Sequence, residues 1–241
     1  MKTITFIAIT LLAGAIAGAL LAIINQGVVE PYIDQAINIE NQNAMSQGEV
    51  INPQEFNAYR LWQKSGEIAA GTILGISLGA LFGVVFAFAR DSIPGSNNKK
   101  KALILAAVML LVIYIVPALK YPANPPAVGD PETINYRETL YIAILTISGF
   151  SALGLAFLYR KLGNNQVKKI VVPVIYVGII ATAFMVLPPN PDQITAPMDL
   201  VTSFRIVTGF TMSVFWGLLG LILGALWDKT KPHETAKIAT V

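Results

Sequence analysis

Apolar positions fall in six charge-free runs, residues 3–24, 68–89, 102–119, 139–159, 170–187 and 206–227, each 18 residues or longer. A run of about twenty apolar residues is what a helix needs to cross the hydrocarbon core of a bilayer. The pattern predicts an all-α membrane protein with six transmembrane helices, in one integral membrane domain over residues 1–241. The polar segments between the runs alternate in character. The N-terminus, residues 90–101, residues 160–169 and the tail hold Lys2, Arg90, Lys99, Lys100, Lys101, Arg160, Lys161, Lys168, Lys169, Lys229, Lys231 and Lys237, 12 of the 17 basic residues. Segments 25–67, 120–138 and 188–205 hold 11 of the 14 acids, all but Asp91, Asp228 and Glu234. The positive-inside rule then puts both termini in the cytoplasm of a plasma-membrane protein, with the acidic segments outside. Met1-Lys2 and the apolar run behind it also fit a signal peptide. Removing that run would break the alternation, so a retained anchor is expected.

The outer segments carry the turn chemistry. Residues 120–137, KYPANPPAVGDPETINYR, contain four prolines. Pro122, Pro125 and Pro126 favour an extended path, and Asp130-Pro131 has the form of a helix start with an Asp cap and Pro at the first position. Three copies of a related pattern occur: Asn52-Pro53 with Tyr59-Arg60 and Gly71, Asp130-Pro131 with Tyr136-Arg137 and Gly149, and Ala196-Pro197 with Phe204-Arg205 and Gly217. Glu55 stands where a capping box would place it. Pro-x-Asn-Pro recurs at 122–125 and 188–191. These matches predict three helical hairpins in a parallel pseudo-repeat, as membrane carriers use. Gly71, Gly75, Gly79 and Gly83 recur at every fourth position and line one helix face. Close packing of a neighbouring helix is the expected use, a glycine-lined conduit the alternative.

Composition narrows the chemistry. The chain is 54% hydrophobic and 13% charged, far below the roughly 25% charge of a soluble domain. It has no Cys and one His, so thiolate ligands and disulfides are excluded. No acid lies inside an apolar run and no Ser has an evident base, so an enzyme is not expected. A sequence pI near 9.0 is explained by the inner lysines and arginines, so no nucleic-acid partner is expected. Glu30 and Asp34 lie four apart on a helix expected to start at Pro31, sharing a face with Asn38. With Asp130 and Glu132 they form the candidate outer metal-capture set, oxygen donors of the kind hard or intermediate divalent cations take. The plainer reading is a capping Glu30 and a solvated Asp34. Arg60, Arg137 and Arg205, with Asn124, Pro125 and Asn190, are the candidate outer-mouth residues. Each Arg beside an aromatic most simply anchors its helix at the interface. Pairing with Glu67, Glu138 or Asp199, or an unpaired ring that attracts an anion, are the other readings.

The stretch PALKYPANPPAVGDPETINYR closely resembles the core of the CbtA family of predicted cobalt transporter subunits. Two further segments resemble the same family, QGVVEPYIDQA after the first apolar run and RLWQKSGEIAAG at the entry to the next one. The specific part is ANPPAVGDPETI. The resemblance implies a cobalt-uptake subunit feeding cobalamin synthesis, paired with a small single-span partner carrying a His-rich end. Co²⁺ is then the expected substrate. Apart from the resemblance, no cofactor is expected, membrane lipid surrounds the helices, and a homo-oligomer is compatible with the fold. Two rivals stand beside it: a structural subunit docking other spans of a larger complex through its glycine faces, and an anion-binding channel-like protein built on the arginines.

Overall fold

The computed structural model describes residues 2–126, 128–162, 166–192 and 194–233. Ala127 of the family-like string, and Glu234 and Lys237 of the charge pattern, lie outside the described residues. The described chain is helical without strands, and six helices are long and apolar enough to cross a membrane. The helices are α1 (Thr3–Val28), α2 (Glu30–Ser46), α3 (Pro53–Ala89), α4 (Asn98–Met109), a π-helical segment (Leu110–Ile115), α5 (Val116–Lys120), α6 (Ile134–Lys161), α7 (Lys168–Val186) and α8 (Met198–Thr230). Every apolar run lies within a membrane-length helix or reaches one residue past it. The 37 residues of α3 make a rod of about 55 Å, so its polar first third, residues 53–67, projects beyond a core of about 30 Å.

The helix starts follow local chemistry. Asn52 caps α3: its Oδ1 accepts from Gln54 N at 3.0 Å, and its Nδ2 donates to Glu55 Oε1 at 3.0 Å. Asp130 accepts from Glu132 N at 2.9 Å and opens a 3₁₀ turn, Pro131–Thr133, that leads into α6. α2 begins one residue before Pro31, with the buried Glu30 in its first turn. A proline-led start recurs three times, but the glycine of each copy does not serve alike. A methyl group on Gly71 would strike Ala22 Cβ at 2.7 Å, whereas Gly149 and Gly217 have nothing within 4 Å. The shared proline at the helix starts does not extend to packing, and the structure does not confirm the pseudo-repeat.

The chain divides into two compact units, Met1–Met109 with Ile206–Val241, and Leu110–Arg205. In the first, α1 and α3 run antiparallel with Gly14 and Gly18 against Gly71, Gly75 and Gly79. The backbones are so close that a Cβ on Gly79 would lie 2.7 Å from Gly14 Cα, and one on Gly18 would lie 2.8 Å from Gly75 Cα. The glycine face of α3 is therefore closed by α1. Toward the basic end of this unit, Trp227 of α8 packs edge-on against Phe86 (5.0 Å) and Phe6 (5.9 Å), with the Arg90 guanidinium 5.9 Å from its ring centre. Phe82 stacks with Phe86 and tilts against Trp216. Gly220 lets α8 approach Ala102 and Ala106 of α4.

In the second unit, Tyr121, Leu140, Ile144 and Ala183 form the buried cluster, with Tyr141, Ile147, Phe184 and Leu187 against it. Its unusual element is the π segment. In π geometry a carbonyl pairs with the N–H five residues on, which for Val112 is residue 117, a proline with no N–H. Ser148 of α6, fully buried, supplies the missing donor: its hydroxyl gives to the Val112 carbonyl at 2.5 Å and lies 2.7 Å from the Tyr176 hydroxyl of α7. A buried backbone carbonyl must find a partner, and here it finds one from a neighbouring helix.

Candidate functional site

In the first unit the candidate outer residues gather where α2 crosses the projecting end of α3. The Arg60 guanidinium donates to Glu30 Oε1 at 2.5 Å, Asp34 Oδ1 at 2.7 Å and Gln63 Oε1 at 2.6 Å. Lys64 binds Asp34 Oδ2 at 2.8 Å and stands 3.7 Å from Glu30 Oε1. The helical spacing explains the geometry: Glu30 and Asp34 on α2 face Arg60 and Lys64 on α3, each pair four apart. Glu30 and Arg60 are mostly buried, at 10% and 12% side-chain exposure, while Asp34 keeps 42%. Burial pushes the Asp34 pKa up, but hydrogen bonds from Lys64 and Arg60 outweigh it and hold the carboxyl below the ordinary range. One turn further along, Gln26 Nε2 donates to the Lys64 carbonyl at 2.9 Å, and the Asn25 Oδ1 and Glu67 Oε2 atoms are sealed without a donor among the described residues.

The second unit holds Arg137 and Arg205, and here the two Pro-x-Asn-Pro loops exchange partners. Arg137, from the helix following the first loop, binds the acid just after the second: its Nε lies 2.8 Å from Asp192 Oδ2. Arg205, from the helix following the second loop, binds the first: its Nη2 donates to Asn124 Oδ1 at 2.7 Å and its Nε to the Ala123 carbonyl at 3.0 Å. Asp192, 2% exposed at its side chain, also accepts from Thr133 Oγ1 at 2.6 Å and Asp130 N at 3.1 Å. Arg137 adds a bond to the Asp130 carbonyl at 3.0 Å. Asn190 turns its own loop by accepting from Asp192 N at 3.0 Å, and Pro125 is fully buried beneath the clasp. Gly129, at φ +111°, passes so close to Asp192 and Arg137 that no side chain fits. Two further bonds tie the same loops: Lys120 Nζ to the Phe184 carbonyl at 2.8 Å and Tyr121 Oη to the Pro188 carbonyl at 2.6 Å.

The arginines are thus bound within their own units. Arg60 and Arg137 pair with Glu30, Asp34 and Asp192 rather than with the Glu67, Glu138 or Asp199 that their positions along the chain suggest. The reason is that each guanidinium reaches across to another segment instead of along its own helix. Asp192 is the residue that reading the sequence missed; its signal is its place directly after the later Pro-x-Asn-Pro, in the loop that the first loop's helix must meet. Asp130 and Glu132 are exposed, and the Asp130 carboxylate is used as a cap. Among the described residues no group of three or more His, Cys, Asp or Glu is placed to hold a metal ion. Chemically the arrangement in each unit is a set of compensated ion pairs.

Comparison with curated proteins and with solved structures finds no match. A family model does match, covering residues 3–228, nearly the whole chain, and ending two residues short of the end of α8. The chain belongs to the family of the probable cobalt transporter subunit, CbtA, and is a multi-pass membrane protein of that kind.

Proposed function

We propose that this chain is the membrane subunit of a cobalt (divalent cation) uptake system serving cobalamin synthesis, and that it works with a small partner protein. The family match over residues 3–228 carries the reading. The chain sits in the plasma membrane with both termini cytoplasmic, a placement supported by the segregation of its lysines and arginines from its acids. Exposed acids on the outer surface, Asp130 and Glu132, raise the local cation concentration, while Asp34 is neutralised by Arg60 and Lys64. Glu30 is committed to Arg60 and contributes to the frame that holds Asp34 in place. The chain has no Cys and a single His, in its tail, so an outer imidazole ligand for cobalt comes from another protein.

The test is uptake of radiolabelled cobalt into proteoliposomes holding this chain alone or with its partner. Accumulation is expected with both present, and Asp130→Asn with Glu132→Gln lowers it while leaving the cap at residue 130 intact. Unchanged uptake in that double variant would remove the outer carboxylates from the reading. No cobalt accumulation with the partner present would remove cobalt itself.

A further inference from the structure

An apolar groove of about 500 Å³ opens on α4, lined by Pro94, Gly95, Lys100, Leu103, Ile104 and Ala107. Lys100, Leu103, Ile104 and Ala107 stand at i, i+3, i+4 and i+7, so they form one stripe of the helix. The stripe begins with an ammonium at the edge of the apolar run and continues about 10 Å along the helix axis with apolar residues only. Ala107, exposed and small, forms the floor; the turn at Pro94 and Gly95 forms a wall beside the lysine. Charge at the mouth is one-sided. Lys99, Lys100 and Lys101 make no salt bridge among the described residues, and Asp91 is paired with Arg90 at 3.0 Å. Asp228, the other acid nearby, is turned to the helix start, where it accepts from Asn98 Nδ2 at 2.7 Å, Asn98 N at 3.2 Å and Lys99 N at 3.4 Å.

A groove that is cationic at the membrane interface and apolar below it matches one class of occupant: a phospholipid with a negatively charged headgroup, its phosphate at Lys100 and an acyl chain along Leu103, Ile104 and Ala107. We propose that this face of α4 is a binding site for an anionic phospholipid. A zwitterionic lipid fills the apolar part equally well but gains nothing net from three lysines, so the discriminating element is headgroup charge.

The experiment uses the full chain in micelles containing equal fractions of phosphatidylglycerol and phosphatidylcholine, with retained lipid counted by native mass spectrometry. Phosphatidylglycerol is expected to be retained in preference. Lys100→Gln lowers that retention about fivefold, the effect of one interfacial lysine. Ala107→Trp, which fills the groove, abolishes it, and an unchanged melting temperature in that variant shows that the helix still folds. Lys169→Gln, at a basic interface position outside the groove, leaves retention unaltered. Equal retention of the two lipids overturns the proposal, and so does a Lys169→Gln effect as large as that of Lys100→Gln, because either result reduces the groove to general surface charge.

Discussion

Replacing Gly75 by Ala adds one methyl group in the middle of the tight α1–α3 seam. That methyl would lie 2.6 Å from Gly18 Cα and 2.8 Å from Gly18 N, and closer still to the Gly14 carbonyl oxygen. All three atoms are backbone, so no side chain can swing aside; ordinary contact near 3.5 Å requires the helices to part by about 1 Å. A gap of that size forfeits between a quarter and a half of the dispersion energy across it. If a seam of this kind makes about 40 atom contacts at about 0.15 kcal/mol each, the loss is about 2 kcal/mol, within the usual range for overpacking. Alanine regains up to about 1 kcal/mol of helix propensity, leaving a net destabilisation of about 1–2 kcal/mol. For a chain of this size that corresponds to a fall in melting temperature of about 2–8 °C. The assay is thermal unfolding in detergent, followed by tryptophan emission. Gly149→Ala and Gly217→Ala are the controls, since a methyl there meets nothing within 4 Å and propensity alone should raise or preserve the midpoint. If Gly75→Ala behaves as Gly149→Ala does, the seam is not a tight backbone contact.

Arg60→Gln leaves the buried Glu30, among the described residues, with Lys64 at 3.7 Å as its remaining cation; unfolding should show a loss of about 3 kcal/mol, largely restored when Glu30→Gln is added. Asp34, held below its ordinary pKa, contributes stability that is present above the unfolded carboxyl pKa of about 3.9 and is lost as pH falls through the lower folded value. Acid unfolding should therefore be less steep below about pH 4 in Asp34→Asn than in the parent. Asp192→Asn removes the charge facing Arg137 and should expose the outer loops to limited proteolysis at lower protease concentration, with helix content by circular dichroism unchanged. Ser148→Ala strands the Val112 carbonyl, and chemical denaturation should register about 1–3 kcal/mol.

What could be read from the chain follows from which forces act locally. Charge-free runs of membrane length specify helices whatever surrounds them, so the six spans were legible. The caps at Asn52 and Asp130 were legible for the same reason, as each works within three residues. The four-residue glycine spacing announced a close approach but not its partner, because Gly220 and Gly224 carry the same spacing as Gly14 and Gly18. The outer residues were the least legible. Arg137 and Asp192 are 55 positions apart, and only the way the loops fold back decides that they meet rather than Arg137 and Glu138. The π segment was hidden as well: residues 110–115 are as apolar as any helical run, and only the proline two residues on hints that a carbonyl lacks its donor.

That hidden segment has a consequence for biosynthesis. The ribosome delivers residues 98–120 well before Ser148, so the helix containing Val112 enters the bilayer when the hydroxyl that completes it does not yet exist. Until the fourth long helix arrives, the nascent third one has a carbonyl without a partner in hydrocarbon, where such a group costs several kcal/mol. The π turn is therefore a late feature, fixed only when its neighbour docks, and the order of synthesis is part of what shapes it.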